Sequence, residues 1–566
     1  MKRILTFLLS VLLICGSAGC RCVTSATGKA AWHTDLSFSE LSDSGFNAAL
    51  ETARAKELLF RIERGELSGV EAQKKWDERA DAFRRLETDA SIAYVRYCID
   101  VTDAENKRNY DTLSAQLDEL ECVLVDTALL LSNDPALRER YDPDTVESLR
   151  LADALSDDSV LPLFARERAL IGEYEALSDS LKTEFRGREW TGDEILSDPT
   201  LSAEDFAFLY ESYLALFNAE AGSLFLKLVD VRREIAKTLG FASYADYAYA
   251  CFQREYSPRD AARLSGIVKT DLVPFFKELA GDYLSAAGRL FGTVFEQEPT
   301  MERIGSAVKD VLPELSDPWA YMLSHGMYDL GTGFSRMPGS FTAYFAAYGT
   351  PFLFSSWTNG FEMPPTVIHE FGHFSAYYLN EPAFCTGASP DLAEIDAQGL
   401  ELLTVLRYDT LYGDLSKDAE TVQLFYALYA LIDGCVEDSF QQYAYERDDL
   451  TLEALNAEYG RLCAEYGLDL IGTEARSWTQ IPHTFQSPFY YISYAASMTA
   501  ALELYLICCE NPIAARNAYL AILMRDPGAH FSETLTAAGL KDPFAEETIK
   551  DTAIGLGSVR RVRMNE

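Results

Sequence analysis

Apolar side chains recur at helical spacing over most of the chain. Leu113, Leu117, Leu120 and Leu124 fall at i, i+4, i+7 and i+11, the stripe that buries one face of an amphipathic helix. The same periodicity from about Phe46 to Ala320 predicts successive helices packed on one another. Packing alone accounts for such stripes, and no function attaches to them. Between Gly326 and Gly360 the pattern breaks. Six of the 34 glycines (326, 331, 333, 339, 349 and 360) fall in this stretch, between β-prone runs such as Ser340–Phe345 and Pro351–Phe354. Glycine-punctuated strands inside a helical protein predict a small hairpin or sheet. Helical periodicity resumes at Pro364-Pro365 and runs to the end. Pro365 suits a helix's first position, where a missing N–H costs nothing.

Composition adds limits. A chain of 566 residues at 48% apolar can bury a large core, or two to four domains. With 24% charged and 12% aromatic residues it is globular in character. Its 88 acidic and 49 basic residues leave a net charge of −39, which repels phosphate backbones and argues against a nucleic-acid partner. The eleven cysteines show no CxxC pair, too sparse a pattern for a disulfide scaffold. Most read as small buried apolar groups.

At the N-terminus, Lys2 and Arg3 precede an apolar run from Ile4 to Cys15, then Gly16-Ser17-Ala18-Gly19-Cys20. This is the layout of an export signal, and the run is shorter than the ~20 residues a membrane span needs. Ser17-Ala18-Gly19-Cys20 resembles a bacterial lipobox, with Ser17 where leucine is usual. The expectation is a lipoprotein signal over residues 1–19, lipidation at Cys20 and an exported, membrane-anchored protein. An ordinary secretory signal cleaved nearby is the alternative.

The chemistry lies in His369-Glu370-Phe371-Gly372-His373, the HExxH pattern. Histidines at i and i+4 share one helix face about 5–6 Å apart, so both imidazoles can reach one zinc ion. Glu370, rotated roughly 100° around the helix, can take a proton from water at the open coordination position. Gly372 costs a helix interior about 1 kcal/mol relative to alanine. Close approach of another backbone there would explain it.

A catalytic zinc needs a third protein ligand. The metzincin pattern is excluded, because its glycine and histidine positions hold Ala376 and Leu379. Glu381, Glu394 and Glu401 are the carboxylate candidates. Glu381 precedes Pro382 at the helix end, badly placed to fold back. Ser389-Pro390 reads as the N-cap and first position of a new helix, which puts Glu394 one turn inside. Asp391, three residues earlier, either hydrogen-bonds a ligand histidine or compensates the helix dipole.

The motif followed by Asp391-Leu392-Ala393-Glu394-Ile395-Asp396-Ala397-Gln398 resembles the zinc site of the thimet oligopeptidase and oligoendopeptidase F family. Three further stretches agree: Arg232–Tyr249, Pro338–Tyr344 with Ala347-Tyr348 and Pro351-Phe352, and Ile481-Pro482-His483 with Pro488–Ala495. The resemblance covers about residues 205–545. It implies Glu394 as third ligand to one zinc ion per chain, and Glu370 as general base for hydrolysis by zinc-activated water. It further implies His483, Tyr490 and Tyr494 as oxyanion donors, with Tyr491 able to replace Tyr490. Tyr344, on the hairpin, would hold substrate.

The fold it implies is mainly α, two lobes around a deep channel that admits short unfolded peptides, with a small β-hairpin near the HExxH helix. The expected division is a helical lobe over 20–204 and a zinc peptidase region over 205–566. The expected activity is that of a metalloendopeptidase. An exopeptidase of the same family and an inactive peptide-binding lipoprotein are the alternatives; Glu370 argues against the latter, since a binder needs no base.

Overall fold

The computed structural model describes residues 33–41, 46–141, 143–380, 389–526 and 528–564. The export signal, Cys20 and Glu381 lie outside the described residues. The described chain is mainly α-helical, with two small sheets.

The leucine stripe sits on the helix Ala104–Ser132, which Asp103 caps by accepting from the backbone N–H groups of Glu105 and Asn106. Leu120 and Leu124 are buried in a core shared with Ala55, Trp76 and Leu86, and Leu113 and Leu117 pack against its edge. The Trp76 indole enters that core with its polar atom satisfied, donating to the Leu124 carbonyl at 2.9 Å.

Inside the predicted helical stretch the structure places a hairpin instead. Strand β1, Lys182–Phe185, pairs antiparallel with β2, Arg188–Thr191. Arg186 and Gly187 both have positive φ, 52° and 77°, as a two-residue loop of the right-twisted kind requires. Thr191 then caps the next helix, sharing a capping box with Glu194.

The glycine-rich stretch forms the expected sheet. Strands β3 (Tyr328–Asp329), β4 (Ser340–Phe345) and β5 (Thr350–Ser355) lie in the order β3-β5-β4, so β4 is an edge. Strands β4 and β5 pair antiparallel from Ser340↔Ser355 to Phe345↔Thr350. Gly349 closes their connection at φ 57°, where a side chain would be strained.

Two helices follow that position the site. Met363–Leu379 begins two residues before Pro365, with Pro364 and Pro365 in its first turn. Pro390–Thr404 begins at Pro390 with Ser389 at its N-cap, as the sequence predicts. The helices meet at Gly372, where an added Cβ would lie 2.4 Å from the Asp396 carbonyl oxygen and 2.6 Å from Ala397 Cα. Glycine is the residue that lets the two backbones come this close.

The chain forms two compact units that interleave in sequence. Among the described residues, one takes in those up to Ser156, those within Gly281–Leu428 and those from Ala496 onward; the other takes in Asp157–Ala280 and Tyr429–Ala495. A boundary at 204/205 falls within the helix Ala203–Thr238 of the second unit.

Candidate metal centre and aromatic cluster

His369 and His373 project from one face of the helix Met363–Leu379, their rings 5.0 Å apart and nearly perpendicular. Glu394 comes from the adjacent helix, and its Oε2 lies 3.7 Å from His369 Nε2. Ligand atoms of His369, His373 and Glu394 all lie within 4.8 Å of one another. Two imidazoles and one carboxylate so grouped can hold a divalent metal ion.

The ring orientations fit such an ion. His369 Nδ1 is engaged by Glu401 Oε1 at 2.5 Å, which leaves Nε2 to face Glu394. Gln423 Nε2 donates to the other Glu401 oxygen at 2.8 Å and steadies it. A carboxylate on the far nitrogen fixes the tautomer a metal needs. His373 Nε2 is buried and has no hydrogen-bond partner. A buried ring nitrogen left this way is costly unless something fills the site.

Burial opposes charge on His369, but the hydrogen bond and charge of Glu401 outweigh it and lift that ring to about 9. His373 is held well below its ordinary value by burial, then by the neighbouring His369 and Arg525 charges. One proton on the pair therefore resides on His369, and a metal would displace it.

Glu370 is 2% exposed. Burial pushes its carboxyl up to about 7 against the pull of His369 and Thr342. Thr342, on edge strand β4, has its hydroxyl 3.0 Å from Glu370 Oε2 and 2.8 Å from the Glu370 carbonyl oxygen. Beneath the centre, Arg525 pairs with Asp396 through two hydrogen bonds of 2.6 and 2.8 Å. Tyr519 donates to the Asp396 carbonyl, which fixes the helix that carries Glu394.

Other predicted residues fall as follows. Asp391 is buried in the first turn of its helix, with the Ser389 hydroxyl at 3.4 Å. Tyr344 lies on β4 with its ring stacked 5.5 Å from that of Tyr377. Glu401, weighed from sequence as a third ligand, instead hydrogen-bonds His369. No local motif marks Thr342 or Gln423, whose partners lie far off in sequence.

The second unit gathers the remaining predicted residues. His483 lies in the short helix Pro482–Gln486, with the rings of Tyr490 and Tyr491 at 5.5 and 5.2 Å. The Tyr494 ring is 5.3 Å from each of these two tyrosines. His483 is 3% exposed, and neither ring nitrogen has a hydrogen-bond partner. Burial pulls its pKa down to about 4, so the ring is neutral near pH 7.

Fold and donor set together define a mainly helical protein with a two-histidine, one-carboxylate candidate metal site. No protein-family profile matches the chain, and no curated protein matches it. Solved structures do. A provisionally named oligoendopeptidase F is 22% identical with a TM-score of 0.76, over 93% of this chain and 98% of that one. PZ peptidase A with an inhibitor is 21% identical with a TM-score of 0.75, over 92% and 98% of the two chains. A provisionally named oligoendopeptidase F from Bacillus anthracis strain Ames is 21% identical with a TM-score of 0.74, over 94% and 99%. The chain has the fold of the oligoendopeptidase F structures.

Proposed function

We propose that this chain is a zinc-dependent metalloendopeptidase hydrolysing peptide bonds in short, unfolded oligopeptides. The observation that carries the reading is the convergence of His369, His373 and Glu394, with Glu370 held beside them by Thr342. Two imidazoles and one carboxylate form the donor set of catalytic zinc sites that keep a position open. When bound, zinc supplies a Lewis acid and lowers the pKa of water toward ~7.

The chain's own groups do the rest. Glu370 accepts a proton from the attacking water and passes it to the departing amine. Thr342 orients that carboxylate. His483, Tyr490 and Tyr494 are assigned as donors to the developing oxyanion, with Tyr491 the alternative to Tyr490; such donors contribute roughly 3 kcal/mol each. Tyr344 and the edge of β4 suit a peptide added as a strand. Likeness to structures named for oligoendopeptidase F and PZ peptidase A supports peptides as substrates.

The decisive test joins metal analysis with Glu370→Gln. About one zinc per chain is expected, with cleavage of a doubly blocked, quenched peptide lost in the variant while zinc is retained. Undiminished turnover would sink the mechanism. Cleavage of unblocked peptides alone would make the enzyme an exopeptidase, and a metal-free protein that binds peptides intact would make it an uptake protein. The N-terminal sequence further supports export and anchoring through Cys20. Cys20→Ser should release the protein from membranes, and no change would mean that Cys20 carries no lipid.

A further inference from the structure

Phe489 stands out in the second unit. Its φ is 66°, in the left-handed region that strains a residue with a side chain, and it is not asparagine or aspartate, which tolerate it best. The reversal is gripped on both sides. Its N–H donates to Gln441 Oε1 at 2.5 Å, and its carbonyl accepts from Arg254 Nη2 at 2.6 Å. The same Arg254 nitrogen lies 3.0 Å from Ser493 Oγ, in the first turn of the helix Ile492–Glu510 that carries Tyr494.

The surroundings hold this arrangement in place. The Phe489 ring is fully buried, with Tyr445 and Tyr249 at 5.5 and 5.9 Å. The Arg254 guanidinium lies over the Tyr249 ring at 4.4 Å. Gln441 belongs to the long helix Ser416–Glu446, and Gly434 of that helix lets the Tyr491 carbonyl approach; a Cβ there would meet it at 2.5 Å. Strain persists where surrounding contacts over-determine it, and such strain concentrates at functional sites.

We propose that Gln441 and Arg254 are positioning residues, a clamp that locks the reversal at Phe489 and so sets where the Tyr490, Tyr491 and Tyr494 phenols lie. The clamp's role in turnover rests on the assignment of these tyrosines as oxyanion donors. Relaxing Phe489 would swing the chain just before Tyr490, and misplacement of a catalytic group by about 1 Å can cost ~100-fold in rate.

The test uses the full chain loaded with zinc. Gln441→Met removes the acceptor, and Arg254→Lys keeps the charge but loses the fork. Both variants should lower kcat about 10-fold or more, with KM and zinc content little changed. Amide exchange over residues 487–494 should quicken in Gln441→Met and Arg254→Lys. Adding Gln441→Met to Tyr490→Phe, Tyr491→Phe or Tyr494→Phe should cost less than the two single losses multiplied.

Unchanged exchange in Arg254→Lys and in Gln441→Met would overturn the clamp. Losses that simply multiply in all three double variants would overturn its action through the phenols. If all three single Tyr→Phe variants turn over like the parent, the donor assignment fails, and exchange still decides the clamp.

Discussion

The Thr342 hydroxyl lies 3.0 Å from Glu370 Oε2, so a side chain on the edge strand aims the carboxylate of the HExxH helix. Thr342→Val keeps the shape and removes the hydrogen bond. A hydrogen bond to a charged group is worth about 1.5–3 kcal/mol, so kcat should fall roughly 10- to 100-fold. KM and zinc content should hold, and Thr342→Ser should restore most of the rate. Equal turnover in the valine and serine variants would deny Thr342 this role.

Glu401 acts one step away from the metal. It holds His369 Nδ1 and is itself held by Gln423. Removing such a carboxylate typically weakens metal binding about 10- to 100-fold. Glu401→Gln should therefore lose zinc to a competing chelator at lower chelator concentration, and excess zinc should recover much of its activity. An unchanged zinc affinity would count against this arrangement.

Gly372 shows what a sequence can and cannot reveal. Its cost in a helix is visible locally, and so is the inference that something lies close. The neighbour itself, the Asp396–Ala397 backbone, comes from another helix. Gly372→Ala would regain up to about 1 kcal/mol of helix propensity but forces a Cβ against backbone, and overpacking costs about 1–3 kcal/mol. Urea unfolding should show a net loss of stability. A gain would mean the two helices can separate freely.

The same division runs through the other contacts in each unit. The HExxH spacing and the Ser389-Pro390 helix start are local patterns, and both are legible. Thr342 with Glu370, Gln423 with Glu401 and Gln441 with Phe489 are contacts across 28, 22 and 48 residues. No spacing rule connects them. The β1–β2 hairpin carries little sequence signal, because its one turn glycine, Gly187, sits in a charged run between helices. The left-handed Phe489 gave no signal, since phenylalanine has no preference for that conformation.

Asp433 and Glu437, one helical turn apart on Ser416–Glu446, make stability depend on pH. Each is buried, and one oxygen of each, Asp433 Oδ1 and Glu437 Oε1, has no hydrogen-bond partner. Burial raises both carboxyls, and the charge of Glu437 raises Asp433 further. Next to Glu437, Asp438 is pushed up to about 6 by burial, against the hydrogen bond it accepts from Tyr249. A raised carboxyl favours the fold while protonated, so its contribution is complete below the ordinary range near ~4. That contribution is lost as pH climbs through the raised values. Stability attributable to Glu437 and Asp438 should fall between about pH 4 and pH 7, and Asp433 adds to the fall as pH rises. Asp433→Asn removes one buried charge and keeps the shape. Calorimetry should show a higher unfolding temperature for the variant at pH 8 and little difference at pH 4. A shift of the same size at both values would mean that folding does not raise the Asp433 carboxyl.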